Sequence, residues 1–235
     1  MTASMILLPG WGLGSAPLVP LARALAEHFQ VHIEALPTFE HADIERCLGA
    51  LDECIPRGVW LGGWSLGGML ATLLAARRGA DCAGLLTLAS NARFVACETW
   101  PVAMPAATFT AFHAAYGENP AATLKRFAML CSQGAVDARG LSRQLLAQAG
   151  GTDSLAGLDL LATLDTRAAL QQFAGPQLHL LADADALLPQ AAAAAIQALQ
   201  PAAEVQVLTG ASHAFVLEQA HEVAARVGRF MATRT

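Results

Sequence analysis

The sequence is poor in charge and has no long apolar run. Asp, Glu, Lys and Arg make up 14% of its 235 residues, and hydrophobic residues make up 54%. Even so, no apolar stretch approaches the ~20 residues that a membrane-spanning helix needs. The most apolar segment, residues 191–199, is Ala-rich, short and interrupted by Gln197. A secretory leader is not expected: no basic segment precedes the first apolar run, which Pro9-Gly10 cut short, so that run reads as a strand. Cys-x-x-Cys is absent, and the five cysteines (Cys47, Cys54, Cys82, Cys97 and Cys131) are odd in number. That argues against a disulfide framework or a zinc site and points to a reducing cytoplasm. Positive charge is in deficit, with a net charge of −5, which argues against nucleic acid as a general partner. There is no internal repeat. What remains is a chain long enough for one large α/β domain or two small ones, with a core of buried parallel strands.

Strand and helix patterns alternate through the first part of the chain. Strands are predicted at residues 4–8, 31–36, 59–61 and 83–88, with helices at 17–29, 43–54 and 69–78 between them. Such alternation argues for a mostly parallel sheet with helices on both faces. From residue 98 to 173 only helical patterns occur, broken at Pro101, Pro105, Gly117, Pro120, Gly134 and Gly150-Gly151. The expectation is a helical cap inserted into a core formed by residues 1–97 and 174–235. The sheet resumes at 176–182 and ends with a strand at 204–208, with helices at 189–199 and 215–231.

Chemistry concentrates at Gly63-Trp64-Ser65-Leu66-Gly67. A strand, Gly-x-Ser-x-Gly and a helix in succession form a nucleophile elbow, which lifts the serine above the sheet at a helix N-terminus. The two glycines leave room where the turn crowds itself. A serine hydroxyl needs a base to take its proton and a carboxylate to orient that base, in the chain order Ser, Asp or Glu, His. Of seven histidines, His213 stands between the last strand and the last helix, at the carboxyl edge of the sheet. His179 lies within a strand and reads as packing, and His113 lies in the insertion. His28, His32, His41 and His221 read as solvated or packing residues. The acid is expected after the strand ending near Ala182, where Asp185 is the choice and Asp183 the alternative. The second of the two then has a hydrogen bond within the turn. Oxyanion donors are expected from the backbone N–H of Leu66 and of Trp11, the latter flanked by Gly10 and Gly12. The indoles of Trp11 and Trp64 are expected to wall the acyl pocket.

Taken together, Pro-Gly-Trp-Gly-Leu at 9–13, Trp-Leu-Gly-Gly-Trp-Ser-Leu-Gly-Gly at 60–68, Leu-Thr-Leu-Ala-Ser-Asn at 86–91 and Ala-Ser-His-Ala-Phe at 211–215 resemble the BioH family. The resemblance covers nearly the whole chain. It implies the α/β-hydrolase fold and hydrolysis of the methyl ester of pimeloyl-acyl carrier protein, with Ser65, Asp185 and His213 as the triad. Segments 123–127 and 137–143 resemble cap segments whose arginines bind the carrier; Arg126, Arg139 and Arg143 fall on those positions, and Ala122 stands where a further family arginine would be. Phe112 and Phe127 match aromatic positions lining the family's acyl channel. Two departures stand out: Pro9-Gly10 replaces the usual His-Gly, and an N-terminal hairpin is not expected. Charge gives the carrier reading separate support, since residues 125–143 hold Lys125, Arg126, Arg139 and Arg143 against only Asp137, and Arg139 and Arg143 share a helical face. Acyl carrier proteins are acidic, so such a face would attract them.

The expected protein is therefore a cytoplasmic, monomeric serine carboxylesterase acting on a carrier-bound ester, with no metal or organic cofactor. Three rivals use the same features differently. A broad short-chain esterase would not need the basic cap. A menaquinone-pathway-type lyase would use Ser, His and Asp without ester hydrolysis, and a binding protein on this fold would leave Ser65 unreactive.

Overall fold

The computed structural model describes residues 3–38, 42–149 and 154–233. His41 and the Gly150-Gly151 break lie outside them. The strands Ala3–Leu8 (β1), Phe29–Ile33 (β2), Trp60–Trp64 (β3), Gly84–Leu88 (β4), Gln177–Ala182 (β5) and Glu204–Leu208 (β6) form one sheet in the order β2-β1-β3-β4-β5-β6. Every pairing in it is parallel. β3, β4 and β5 are buried at every position, so neither face of the sheet's centre meets water, as suits their mainly apolar sequences.

The chain steps from β1 out to β2 and then returns past β1 to β3. This reversal opens a crevice at the carboxyl ends of β1 and β3, where ligands of open α/β sheets bind. Register brings the neighbouring strand ends level: Leu8 pairs with Gly63, Trp64 with Leu88 and Ala182 with Leu208. The loops that follow β1, β3, β5 and β6 therefore emerge along one edge.

The helices of the first part are Val19–Leu25 (α1), Ile44–Cys54 (α2) and Leu66–Arg78 (α3). Asp43 begins α2 by accepting from the backbone N–H groups of Glu45 and Arg46, at 3.0 and 3.2 Å. α3 is buried almost all round, because it lies on the sheet beneath other helices. Its last residue, Arg78, is buried too. The guanidinium is satisfied by Asp52 Oδ1 at 2.7 Å and by the carbonyls of Asp52, Ile55 and Pro56, which closes the end of α2. That contact holds the Asp52 carboxyl below its usual range.

Helices Ala106–Glu118 (α4), Pro120–Ser132 (α5), Ala138–Gln148 (α6), Leu155–Thr163 (α7) and Arg167–Gln172 (α8) follow β4. Ala191–Leu199 (α9), Phe215–Glu218 (α10) and Ala220–Ala232 (α11) complete the described α-helices. α5 packs on α4 and α6, and α7 on α4, whereas α8 rests on α3 and α9.

Two elements differ from the sequence reading. Phe29, read as the end of a helix, begins β2 and pairs with Ala3; helix periodicity ran on through a residue whose apolar side chain serves the sheet equally well. The final helix is two, broken at Gln219, whose φ of −123° is not helical.

Within the sheet, His179 on β5 is fully buried, with Nδ1 2.7 Å from Thr87 Oγ1 and Nε2 3.2 Å from Gln177 Oε1. Burial pushes its pKa from 6.5 down to about 4. The unfolded chain thus binds the proton more readily, so this residue's contribution is complete above the unfolded pKa and is lost as pH falls through the window from 6.5 to about 4. The expected loss is about 3 kcal/mol. Urea unfolding at several pH values checks it: His179→Gln should flatten this acid dependence, and an unchanged slope in that variant would rule the assignment out.

Candidate active site

Ser65 joins β3 to α3 at φ 55° and ψ −118°, a conformation that a non-glycine residue holds only under constraint from its surroundings. Its N–H donates to Leu88 O at 2.9 Å, and Ser90 Oγ donates to its carbonyl at 2.9 Å. The elbow glycines clear different neighbours. A Cβ on Gly63 would collide with the Gly67 backbone, and one on Gly67 with the carbonyl oxygens of Leu8 and Pro9 at the end of β1. One glycine lets the turn close on itself; the other lets α3 start against β1.

After β5, Asp185 turns its side chain inward. Oδ2 lies 2.7 Å from His213 Nδ1, and Oδ1 accepts from the backbone N–H groups of Leu187 and Leu188 at 2.8 and 3.0 Å. Both side chains are withdrawn from water, at 0% and 1% exposed for His213 and Asp185. Asp183 goes elsewhere, accepting from Gly210 N at 2.7 Å, and so ties the loop after β5 to the loop after β6. The structure thus brings Asp185, not Asp183, to His213.

The other ring nitrogen, His213 Nε2, is buried without a hydrogen-bond partner among the described residues. A buried unpaired nitrogen costs about 1–3 kcal/mol. It is the atom that would take a proton from Ser65 Oγ, and such contacts are often long before substrate arrives. With Nδ1 committed to Asp185, the neutral ring has Nε2 as its acceptor.

The loop bearing His213 is held by residues the sequence reading did not single out. Ser212 donates to Glu218 Oε1 from both its N–H, at 2.9 Å, and its hydroxyl, at 2.8 Å. Ala214 N–H donates to Cys131 O at the end of α5, 3.0 Å away. Trp64, expected to wall the pocket, instead packs beside the His213 ring and donates from Nε1 to His213 O at 2.9 Å. That is the outcome of its place at the end of a strand buried on both sides. Cys131 is no rival nucleophile, since burial and the Asp185 charge push its thiol well up.

Leu66 N–H opens α3, and neither it nor Trp11 N–H has a hydrogen-bond partner among the described residues. Both are therefore free to serve an oxyanion. The Trp11 indole is buried. It meets Tyr116, Phe127 and Phe112 edge-on at centroid distances of 5.1, 5.2 and 5.9 Å, and Nε1 donates to Ser154 O at 3.0 Å. Trp11, Phe112 and Phe127 also line an apolar cavity of about 280 Å³, together with Leu158, Leu161 and Leu187. Trp64 is not part of its wall.

Between α5 and α6 runs a larger groove, of about 630 Å³, bordered by Lys125, Arg126, Arg139 and Arg143. None of these four cations has an ion-pair partner among the described residues, and Met129 stands 58% exposed beside them. Asp137, the one acid in the segment, spends its carboxylate on Gly140 N–H at the start of α6. Arg126 and Leu130 border both the groove and the apolar cavity. The turn after α5 is packed onto the acid loop, for a Cβ on Gly134 would collide with Ala184. Among the described residues no group of three metal-ligating side chains converges, and no helix is long and apolar enough to cross a membrane.

Residues 5–226 match the model of the alpha/beta hydrolase family. The chain is 38% identical over 238 residues to the biotin biosynthesis bifunctional protein BioHC of Cellvibrio japonicus, an alignment covering 97% of this chain and 47% of that protein. It thus spans about half the length of the bifunctional relatives it matches. With the pimeloyl-[acyl-carrier protein] methyl ester esterase of Xanthomonas oryzae pv. oryzae it shares 35% identity over 243 residues, covering 98% of this chain and 95% of the relative. A bromoperoxidase from Bacillus anthracis has the same fold, with a TM-score of 0.84 at 18% identity over 98% of this chain and 92% of that one.

Proposed function

Because this chain belongs to the alpha/beta hydrolase family, and within it to the BioH family, we propose that it is a serine carboxylesterase that hydrolyses the methyl ester of pimeloyl-acyl carrier protein. Ser65 Oγ attacks the ester carbonyl while His213 Nε2 takes the hydroxyl proton. Asp185 holds the imidazolium that forms, and the N–H groups of Leu66 and Trp11 receive the oxyanion. His213 then gives its proton to the departing methoxide, releasing methanol. Water, deprotonated by the same nitrogen, attacks the acyl-enzyme and frees pimeloyl-acyl carrier protein and Ser65.

The shared border at Arg126 and Leu130 carries the substrate reading. A basic groove suits an acidic carrier and the phosphate of its arm; an adjoining apolar cavity suits an acyl chain that ends at Ser65. Residues 98–173 are proposed as the cap that carries both, with residues 1–97 and 174–235 as the core. Five unpaired cysteines favour a reducing compartment, the cytoplasm.

The test is methanol release from the carrier-bound methyl ester compared with hydrolysis of a small free ester. Replacing Arg139 and Arg143 together by Glu should lower kcat/KM for the carrier-bound substrate by roughly 10–100-fold at low salt. The small ester should be hydrolysed nearly as before. Equal losses on both would turn the reading toward a broad short-chain esterase.

A further inference from the structure

The chain's only tyrosine lies against the oxyanion-hole residue but outside the cavity wall. We propose that Tyr116 is a positioning residue, which sets the Trp11 backbone N–H by bracing its indole and so ties the fit of the cap to the oxyanion hole. This rests on the reading of Trp11 N–H as an oxyanion donor.

Glycine on either side leaves that N–H little torsional constraint of its own, although Gly10 packs against Trp64 and Ser65. Trp11 stands between Gly10 and Gly12, and Gly12 and Gly14 have φ of 79° and 67°. With glycine on either side, rotation of the peptide units meets little local resistance. Trp11 is instead held by its side chain, through three edge-on ring contacts and the Nε1–H bond to Ser154 O. These come from α4, α5 and the residue that caps α7, so three separate helices fix one indole.

The three rings are not equivalent. Phe112 and Phe127 line the cavity and would touch an acyl chain. Tyr116, four residues after Phe112 on the same face of α4, makes the shortest ring contact with Trp11 and does not line the cavity. The ring contact with Trp11 is the route by which it would act on the reaction. Replacing the ring by a smaller aliphatic group leaves a gap beside the indole, and the indole can tilt into it. Misplacement by about 1 Å costs as much as 10²-fold in rate.

The experiment uses 4-nitrophenyl acetate, whose two-carbon acyl group makes little demand on the cavity. Tyr116→Leu should lower kcat about tenfold with KM within about twofold, because the donor is displaced while binding is not. Tyr116→Phe, which keeps the ring, should stay within about threefold of the parent. Active sites are counted by titration with a fluorophosphonate, so that loss of folded protein is not read as loss of kcat. If Tyr116→Leu does not fold, Trp11→Phe gives a second reading: it removes the bond to Ser154 and should lower kcat on the same ester. An unchanged kcat per active site in the ring-deleted variant would overturn the proposal, as would equal losses in the Leu and Phe variants. A parent protein that neither hydrolyses the acetate nor reacts with the fluorophosphonate would instead overturn the esterase reading beneath it.

Discussion

Ser65→Ala should abolish turnover, with kcat falling by at least about 10⁴-fold on both the carrier-bound methyl ester and a small ester. The size follows from the site's construction. Ser65 alone occupies the strained turn above the sheet, at φ 55°, and the thiol of Cys131 is buried and held protonated. The Ser90 hydroxyl beside it is spent on the Ser65 carbonyl. Leu66 N–H, Trp11 N–H and the apolar cavity are all retained, so a small residual rate over water should persist. Binding of the carrier should be unchanged, because the basic groove between α5 and α6 shares no residue with the elbow. Methanol release measured beside carrier affinity distinguishes the two functions. A variant that kept its activity would remove Ser65 from the mechanism altogether.

Asp185→Asn should cost nearly as much, about 10⁴-fold in kcat, with little change in fold. Oδ1 already accepts from the N–H groups of Leu187 and Leu188, and the Asn oxygen would keep those bonds. The amide NH₂ would then face His213 Nδ1 where a carboxylate oxygen now stands, 2.7 Å away. It can only donate, so Nδ1 must become the acceptor and Nε2 must carry the proton. In that tautomer Nε2 cannot take a proton from Ser65. Asp183→Asn is the matched control: its oxygen can still accept from Gly210 N–H, and activity should stay close to that of the parent. Comparable losses in the two variants would mean that the loop, not the charge at Asp185, governs the rate.

The site was legible to the extent that its chemistry is written locally. Gly63 and Gly67 announce the turn because no other residue fits there, and the structure shows a separate collision awaiting each. Asp185 and His213 could be found because a parallel sheet sends every β-to-α loop to the same edge, so place in the chain order is also place in space. Asp183 and Asp185 are alike by composition, and only the observed structure separates a carboxylate that ties two loops together from one pointed at the histidine. Trp64 was misread because its neighbour Ser65 faces the site, whereas its own side chain ends beside His213. Glu218 left no local signal, since its role depends on a short helix folding back onto Ser212.

By itself, then, the sequence determined the parallel α/β sheet, the nucleophile turn and the order of the three candidate triad residues. Each follows from steric or periodic rules that act over a few residues. The tertiary structure alone decided which aspartate reaches His213, where the indoles of Trp11 and Trp64 go, and that Arg126 borders both a basic groove and an apolar cavity. Those outcomes join segments as much as 149 residues apart, as in the bond from Trp64 to His213. Contacts of that kind arise from packing whole elements together, and no local pattern records them.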